Sequence, residues 1–233
     1  MSDWAEQYLS GDELLHIDML ESMRRGNADL RYASEQGVLM FDTGGEVYLM
    51  SANDETTANQ MIELMQNPDM IVAHQDFYIT AVFAKFPKLS LFMECYHAVY
   101  LEPQPLPEPA GRCIIQPLDA SHIDFVQQHY SNNLERKYIL ERLQSGAIQG
   151  AFVDGQLAGF AGAHIEGSIG MVEVLPEYRR RGIAEVLEAY IANQMLARGF
   201  VPYAQIVVSN KPSLALQQKL NFTISEQKLW WLL

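Results

Sequence analysis

Cysteine is nearly absent from this chain: two residues, Cys95 and Cys113, in 233. That excludes a disulfide framework, and the two are not at C-x-x-C spacing, so a reducing compartment is expected. The six histidines show neither H-E-x-x-H nor H-x-H spacing, and no metal site is expected. Long apolar runs are also missing, since none approaches the ~20 residues that span a bilayer. The N-terminal Met-Ser-Asp-Trp-Ala-Glu has no basic region followed by an apolar one, so no signal peptide is expected. The expectation is a cytoplasmic protein with no membrane partner. Positive charge is scarce: 16 Lys and Arg stand against 29 Asp and Glu, for a net charge of −13, which disfavours nucleic acid as a partner. Gly167-Ser168-Ile169-Gly170 falls short of the G-x-S-x-G nucleophile pattern, because its first glycine is misplaced. What remains is a globular composition, 48% hydrophobic, long enough for one large domain or two small ones.

Against this acidic background stands one basic island. Residues 171–175 form an apolar run broken only by Glu173, and Pro176 ends it. Arg179, Arg180, Arg181 and Gly182 then lead into a helical pattern with Ile183, Val186, Leu187, Tyr190 and Ile191 at helix spacing. The form is strand, tight basic turn, helix. A helix N-terminus presents unpaired N–H groups and a partial positive charge, which favour a phosphate. Gly182 and Ala184 leave space for it. The plain alternative is a solvated arginine turn.

The spacing Arg179-x-x-Gly182-x-Ala184 after Val174-x-Pro176 resembles the acyl-CoA-binding motif R/Q-x-x-G-x-G/A of the GNAT superfamily of N-acyltransferases. It stands in the strand–turn–helix context that the motif requires. Leu175-Pro-Glu-Tyr-Arg179 also resembles the glycine N-acyltransferase branch. The resemblance covers roughly residues 112–233 and includes Asn210-x-x-Ser213 and Lys219-Leu220-x-Phe222. It implies acyl-CoA as co-substrate, bound by Val172, Val174, Arg179 to Ala184 (Arg180, Arg181, Gly182 and Ile183 among them), Asn210 and Ser213.

Periodicity gives the remaining elements. Helices are expected over 3–25, 55–66, 77–86, 121–130, 134–144, 183–198 and 212–220. Strands are expected over 32–35, 37–41, 46–50, 70–74, 89–101, 113–116, 147–153, 156–164, 171–175, 203–208 and after 222. Gly44-Gly45 and Asp154-Gly155 mark hairpins. Four alternate prolines, Pro103 to Pro109, form a stiff boundary. The expected fold is α/β with a mixed sheet (α+β): a domain over 1–102, a linker over 103–111 and a GNAT domain over 112–233. The first half has the same rhythm without the basic glycine turn, and Ser51-Ala-Asn-Asp54 in its place would repel a pyrophosphate. It reads as a smaller, degenerate copy of the GNAT fold. His74, Tyr96 and His97 read as core rather than as an acceptor cleft.

Acyl transfer to an amine needs a polarised carbonyl, a proton acceptor and a stabilised thiolate. The resemblance implies pantetheine pairing along the strand at 171–175, with the N–H near Val174 on the carbonyl. The proton acceptor departs from the family pattern, because Ser168 stands where glycine N-acyltransferases carry glutamate. Glu173, Glu166 and His164 are the candidates, each with a structural role as the plain alternative. Glu173 adjoins the thioester position, although strict strand alternation turns it to the other face unless a bulge intervenes. The tyrosine acid of many relatives is matched by Gln217, and Tyr203 is a substitute that reads equally as core. Glu173 and Tyr203 are therefore the catalytic candidates. The expected function is acyl transfer, above all acetyl transfer, from CoA to a small amine such as an amino acid. The alternative is a non-catalytic acyl-CoA sensor or interaction protein.

Overall fold

The computed structural model describes residues 1–107, 113–130 and 134–233. The second half of the proline segment and the expected start of the second domain lie outside them. By contact the described chain forms two units, Met1–Val99 with Gln205–Gln217 and Phe222–Leu233, and Tyr100–Ala204 with Gln218–Asn221. The grouping does not follow a single cut at 103–111. Residues 205–217 and 222–233 group with the N-terminal stretch, because the last strand is taken into its sheet.

The first unit holds α1 (Ser2–Leu9), α2 (Ile17–Arg24), β1 (Ala28–Ser34), β2 (Gly37–Asp42), β3 (Val47–Ala52), α3 (Glu55–Leu64), β4 (Ile71–Ala73), α4 (Ile79–Lys85) and β5 (Leu91–Val99). The 3–25 helix is split, since residues 10–12 form a separate 3-10 turn. Strand β11 (Thr223–Leu232) pairs antiparallel with β4 at Trp230↔Ala73 and with β5 at Leu229↔Cys95. Strand β2 is buried on both faces. Val38 and Met40 pack with Ala5, Leu9 and Met19 of α1 and α2, while Leu39 packs with Met61 and Ile62 of α3. This explains its unbroken apolar run. In the β2–β3 turn the left-handed residue is Glu46, φ 53°, rather than a glycine, and Asp42 accepts the Gly45 N–H at 2.6 Å.

This unit also buries a polar network. The imidazole of His74 is held between two acceptors, the Met50 carbonyl at Nδ1 (2.9 Å) and the Asp18 carboxylate at Nε2 (2.9 Å). With both nitrogens facing acceptors, the ring is an imidazolium paired with Asp18. His16 contacts the Leu9 carbonyl at Nδ1 and the Ser51 hydroxyl at Nε2, at 3.1 and 2.8 Å.

The second unit holds β6 (Ile114–Pro117), α5 (Ile123–His129), α6 (Arg136–Gln144), β7 (Ile148–Val153), β8 (Gln156–Ala163), β9 (Ile169–Val174) and α7 (Ile183–Ala197). Strands β6 to β9 form an antiparallel meander. Asp154 and Gly155, φ 50° and 77°, give the β7–β8 hairpin the two left-handed residues of a type I′ turn. On one face Phe160 of β8 and Met171 of β9 pack with Ile123, Val126, Ile139 and Leu143 of α5 and α6. Gly199, φ 79°, ends α7 in the left-handed conformation that closes a helix. The chain passes from this unit to the first within β10 (Tyr203–Val207) and returns within α8 (Lys211–Lys219).

Candidate active site

The site is built from β9 and the turn that follows it. After Val174 the chain makes a short 3-10 turn, Pro176–Tyr178, and enters α7 through Gly182 at φ 78°, ψ 14°. Arg180 is left-handed too, φ 57°. No side chain caps α7, and its first helical bond runs from Val186 N–H to the Gly182 carbonyl at 3.2 Å. The N–H groups of Ile183, Ala184 and Glu185 therefore point out of the helix start, where an anion is favoured. The Arg180 and Arg181 side chains are exposed beside them, and the Arg181 guanidinium rests over the Tyr178 ring at 5.4 Å.

Arg179 is engaged differently. Its Nε donates to the Val174 carbonyl at 2.8 Å, and its Nη2 donates to the Glu173 carboxylate at 3.2 Å. One guanidinium thus ties the basic turn to the end of β9.

Strand β9 has one paired and one largely open edge. Toward β8 it is laddered over its length. Toward β10 one register pair is present among the described residues, Ala204↔Ile169, at the very start of β9. Leu175 N–H bonds to the Ala158 carbonyl of β8 at 2.9 Å. By strand alternation the N–H and C=O of Val174 then point the other way, to the open edge. Arg179 takes that carbonyl, and the N–H is left as a donor.

The register of β9 slips between Phe160 and Gly162, where Phe160 opposes Glu173 and Gly162 opposes Gly170. Ala161 faces two residues, Met171 and Val172. This is a bulge, and it is made by Met171 at φ 52°, a conformation that an L side chain adopts only at a cost. The bulge settles the alternation question. Unbroken alternation separates Gly170 from Glu173, whereas the extra residue brings Gly170, Met171 and Glu173 to the face packed by α5 and α6.

On that face His164 leans over Gly170. A Cβ at residue 170 would meet the imidazole at Nε2 and, at 2.5 Å, at Cδ2. Nδ1 of His164 lies 2.8 Å from the Tyr138 hydroxyl of α6, and the two rings stack with centroids 6.0 Å apart. Tyr138 also accepts the Ile165 N–H at 3.3 Å. Burial, and next the Glu166 charge, push the Tyr138 phenol well above its usual range. With the Ile165 N–H already on its oxygen, the Tyr138 hydroxyl has its own hydrogen to direct at Nδ1 of His164. The turn beneath is fixed by Ser168 donating to the Glu166 carboxylate (2.7 Å) and by His164 N–H bonding the Ser168 carbonyl (2.8 Å).

The other sequence-derived candidates take structural positions. Tyr203 is fully buried, and its hydroxyl donates to the Glu166 carbonyl at 3.1 Å. Its hydrogen is directed at the 164–168 turn. Glu166 is likewise engaged by Ser168. Gln217 is buried. Asn210 accepts the Ser213 N–H at 3.2 Å at the start of α8, so both residues serve a helix N-terminus. The bulge was raised only as a condition on the face of Glu173, and the Arg179 clamp and the Tyr138–His164 pair escaped sequence reasoning. Gly170, a glycine inside a strand, was the available signal for the first and third.

Three comparisons with known proteins bear on this geometry. The protein-family model described as FR47-like protein matches residues 146–231, the stretch from the start of β7 into β11. No curated protein matches the chain. Among solved structures, a Drosophila protein is similar over 100% of this chain and 95% of its own, at 16% identity and TM-score 0.67. A GCN5-related N-acetyltransferase from Kribbella flavida is similar over 94% of each chain, at 11% identity and TM-score 0.60. One from Sphaerobacter thermophilus is similar over 99% of this chain and 92% of its own, at 12% identity and TM-score 0.57. The fold is the GNAT fold. A bulged strand with an open edge, followed by an uncapped helix start, is what this chain places around its candidate site. Among the described residues no cluster of His, Cys, Asp or Glu could hold a metal, and no helix is long and apolar enough to cross a membrane.

Proposed function

We propose that this protein is a cytoplasmic acyl-CoA-dependent N-acyltransferase, of the glycine N-acyltransferase-like kind, that moves an acetyl group to the amine of a small molecule such as an amino acid. The arrangement that carries the reading is the end of β9, where strand alternation turns the Val174 N–H to the open edge, one short turn from the start of α7, which no side chain caps. Pantetheine adds to that edge as a false strand, and its pyrophosphate meets the N–H groups of 183–185 with Arg180 and Arg181. Val174 N–H donates to the thioester carbonyl. The amine attacks that carbon, Glu173 takes the proton from nitrogen, the C–S bond breaks, and the thiolate leaves to be protonated by solvent. Val172, Asn210 and Ser213 belong to the CoA-contacting set.

In this proposal the acyl-CoA function resides in 112–233, and the first half is a degenerate copy. Two contrasts support that. Where β9 and β10 pair at one position, β3 and β4 pair at three, Tyr48↔Ile71, Leu49↔Val72 and Met50↔Ala73. Where α7 is uncapped, Asp54 caps α3 by accepting the Thr57 N–H at 2.9 Å, so a carboxylate already fills the anion position. A sensor that binds acyl-CoA without turning it over is the second reading, favoured by the engagement of Tyr203.

Thermal melting with acetyl-CoA tests the binding step. A ligand that binds only the folded state adds about 2.7 kcal/mol at a hundredfold excess over Kd. A rise in Tm that Gly182→Glu removes supports the reading. No shift with acetyl-CoA or longer acyl-CoAs overturns it.

A further inference from the structure

The second unit holds a cleft of about 400 Å³ that the chemistry above does not use. It opens between the 3-10 turn before α5, the start of β8 and the turn Pro176–Tyr178 after β9. Its volume is that of a small-molecule site. Phe125, Leu157, Leu175 and Tyr178 give it apolar walls. Phe125 and Leu157 pack against the core shared by α5, α6 and β8, so these walls are fixed before any ligand arrives.

The polar groups on its rim are of one kind. Asp119 accepts the Ser121 N–H at 3.0 Å and the Ser121 hydroxyl at 2.5 Å. His122 Nδ1 lies 2.9 Å from the same carboxylate oxygen. Hydrogen bonds from Ser121, and next from His122, hold the Asp119 carboxyl below the usual carboxylate range, so it has no hydrogen to give at neutral pH. The hydrogen of the His122 contact is therefore on Nδ1, and the neutral ring keeps its lone pair on Nε2. The Ser121 hydroxyl already donates to Asp119, and its oxygen is left to accept. Glu177, exposed on the facing turn, adds a carboxylate. An apolar slot rimmed by acceptors, on a chain of net charge −13, suits an apolar body carrying several N–H donors and disfavours an anion.

The cleft is separate from the proposed thioester. Its residue Leu157 belongs to β8, and the N–H of Leu175 is bonded to the Ala158 carbonyl of β8 at 2.9 Å. The Val174 N–H points to the opposite edge of β9. A ligand in the cleft thus has the backbone of β9 between itself and the position of the acyl group.

We propose that this cleft is a second ligand site, for a small primary amine with an aromatic body, whose ammonium is received by Nε2 of His122, the Ser121 oxygen and the Glu177 carboxylate. The aromatic body lies among Phe125, Leu157, Leu175 and Tyr178. The ligand is bound there without being acylated.

The test is titration calorimetry with saturation-transfer NMR on the full chain. Acetyl-CoA is left out, so the outcome does not depend on the acyltransferase reading. The probes are phenethylamine, 2-phenylethanol and phenylacetate, which share a body and differ in head group. Phenethylamine is expected to bind about tenfold or more tighter than 2-phenylethanol, the scale of a hydrogen bond to a charged group, and phenylacetate is expected not to bind. Glu177→Gln and His122→Ala should each weaken phenethylamine by about tenfold. Gln156→Trp, at an exposed position on the rim, should block it. The Tm of each variant shows that it is folded. Phenylacetate binding as tightly as the amine, or amine binding that all three variants leave unchanged, overturns the proposal. So does the absence of phenethylamine binding at ~10 mM. Acylation of phenethylamine once acetyl-CoA is added, abolished by Gln156→Trp, would make the cleft the acceptor position and overturn its assignment as a second site.

Discussion

The guanidinium of Arg179 lies 3.2 Å from the carboxylate of Glu173 and 2.8 Å from the carbonyl of Val174. The first residue of the basic turn thus holds the proposed proton acceptor and the proposed pantetheine edge at once. The ion pair is more than half exposed on the arginine side, so it contributes little to stability. Its consequence is geometric, since it fixes which way the Glu173 carboxylate faces.

Arg179→Ala is therefore expected to leave Tm nearly unchanged and to lower kcat by about 10–100-fold, the scale of a misplaced catalytic group. Arg179→Lys should recover part of the loss. Steady-state kinetics beside a thermal melt decide the matter, and equal losses in Tm and kcat would refute a positioning role.

Stability should depend on pH through the buried histidines of the first unit. Burial disfavours charge on His74, but the Asp18 carboxylate beside it outweighs burial and raises its pKa above the usual 6.5. Burial, and next the His74 charge, lower His16 to about 4. Above pH 6.5 the folded state keeps a proton on His74 that the unfolded chain has released, so stability falls as pH rises through the folded value. Between about 6.5 and about 4 the unfolded chain protonates at His16 while the folded one does not, so stability falls as pH falls. The expected profile peaks near pH 6.5. Urea melts across pH would show this, with the acid slope flattened by His16→Asn and the alkaline slope by His74→Asn. A profile that the two variants leave unchanged would remove these residues from the account.

Cutting the chain at residue 112 separates β11 from β4 and β5, its ladder partners. A 112–233 fragment then carries Leu229 and Leu232, both fully buried in the intact chain, on an unpaired strand. It should aggregate or remain partly unfolded by gel filtration and circular dichroism, whereas the full chain is expected to elute as a single folded species. A well-folded fragment that binds acetyl-CoA would show that β11 is dispensable.

Much of this was legible beforehand. The turn at 179–184 could be read because arginine and glycine at that spacing have a local meaning, and the hairpin at Asp154-Gly155 because both positions need left-handed backbone. The division at the proline segment was not enough to give the contact units, since pairing of β11 with β4 and β5 is non-local and no propensity encodes it. The face of Glu173 depended on one residue, Met171, in a conformation that methionine rarely adopts. Alternation therefore pointed the wrong way until the backbone was known. Tyr203 has the chemistry of an acid, and only its bond to the Glu166 carbonyl shows that the proton is engaged.

The central claim is that this chain uses acyl-CoA to acylate an amine, with Glu173 as proton acceptor. The most direct measurement is release of free CoA from acetyl-CoA against pooled small amines, with the acylated product identified by mass, in wild type and Glu173→Gln. The account expects amine-dependent release in wild type, a ~10²–10⁴-fold loss in Glu173→Gln, and an unchanged acetyl-CoA-induced rise in Tm. Wild-type turnover in a stable Glu173→Gln protein, or acetyl-CoA binding with no amine-dependent release from any pool, would contradict it.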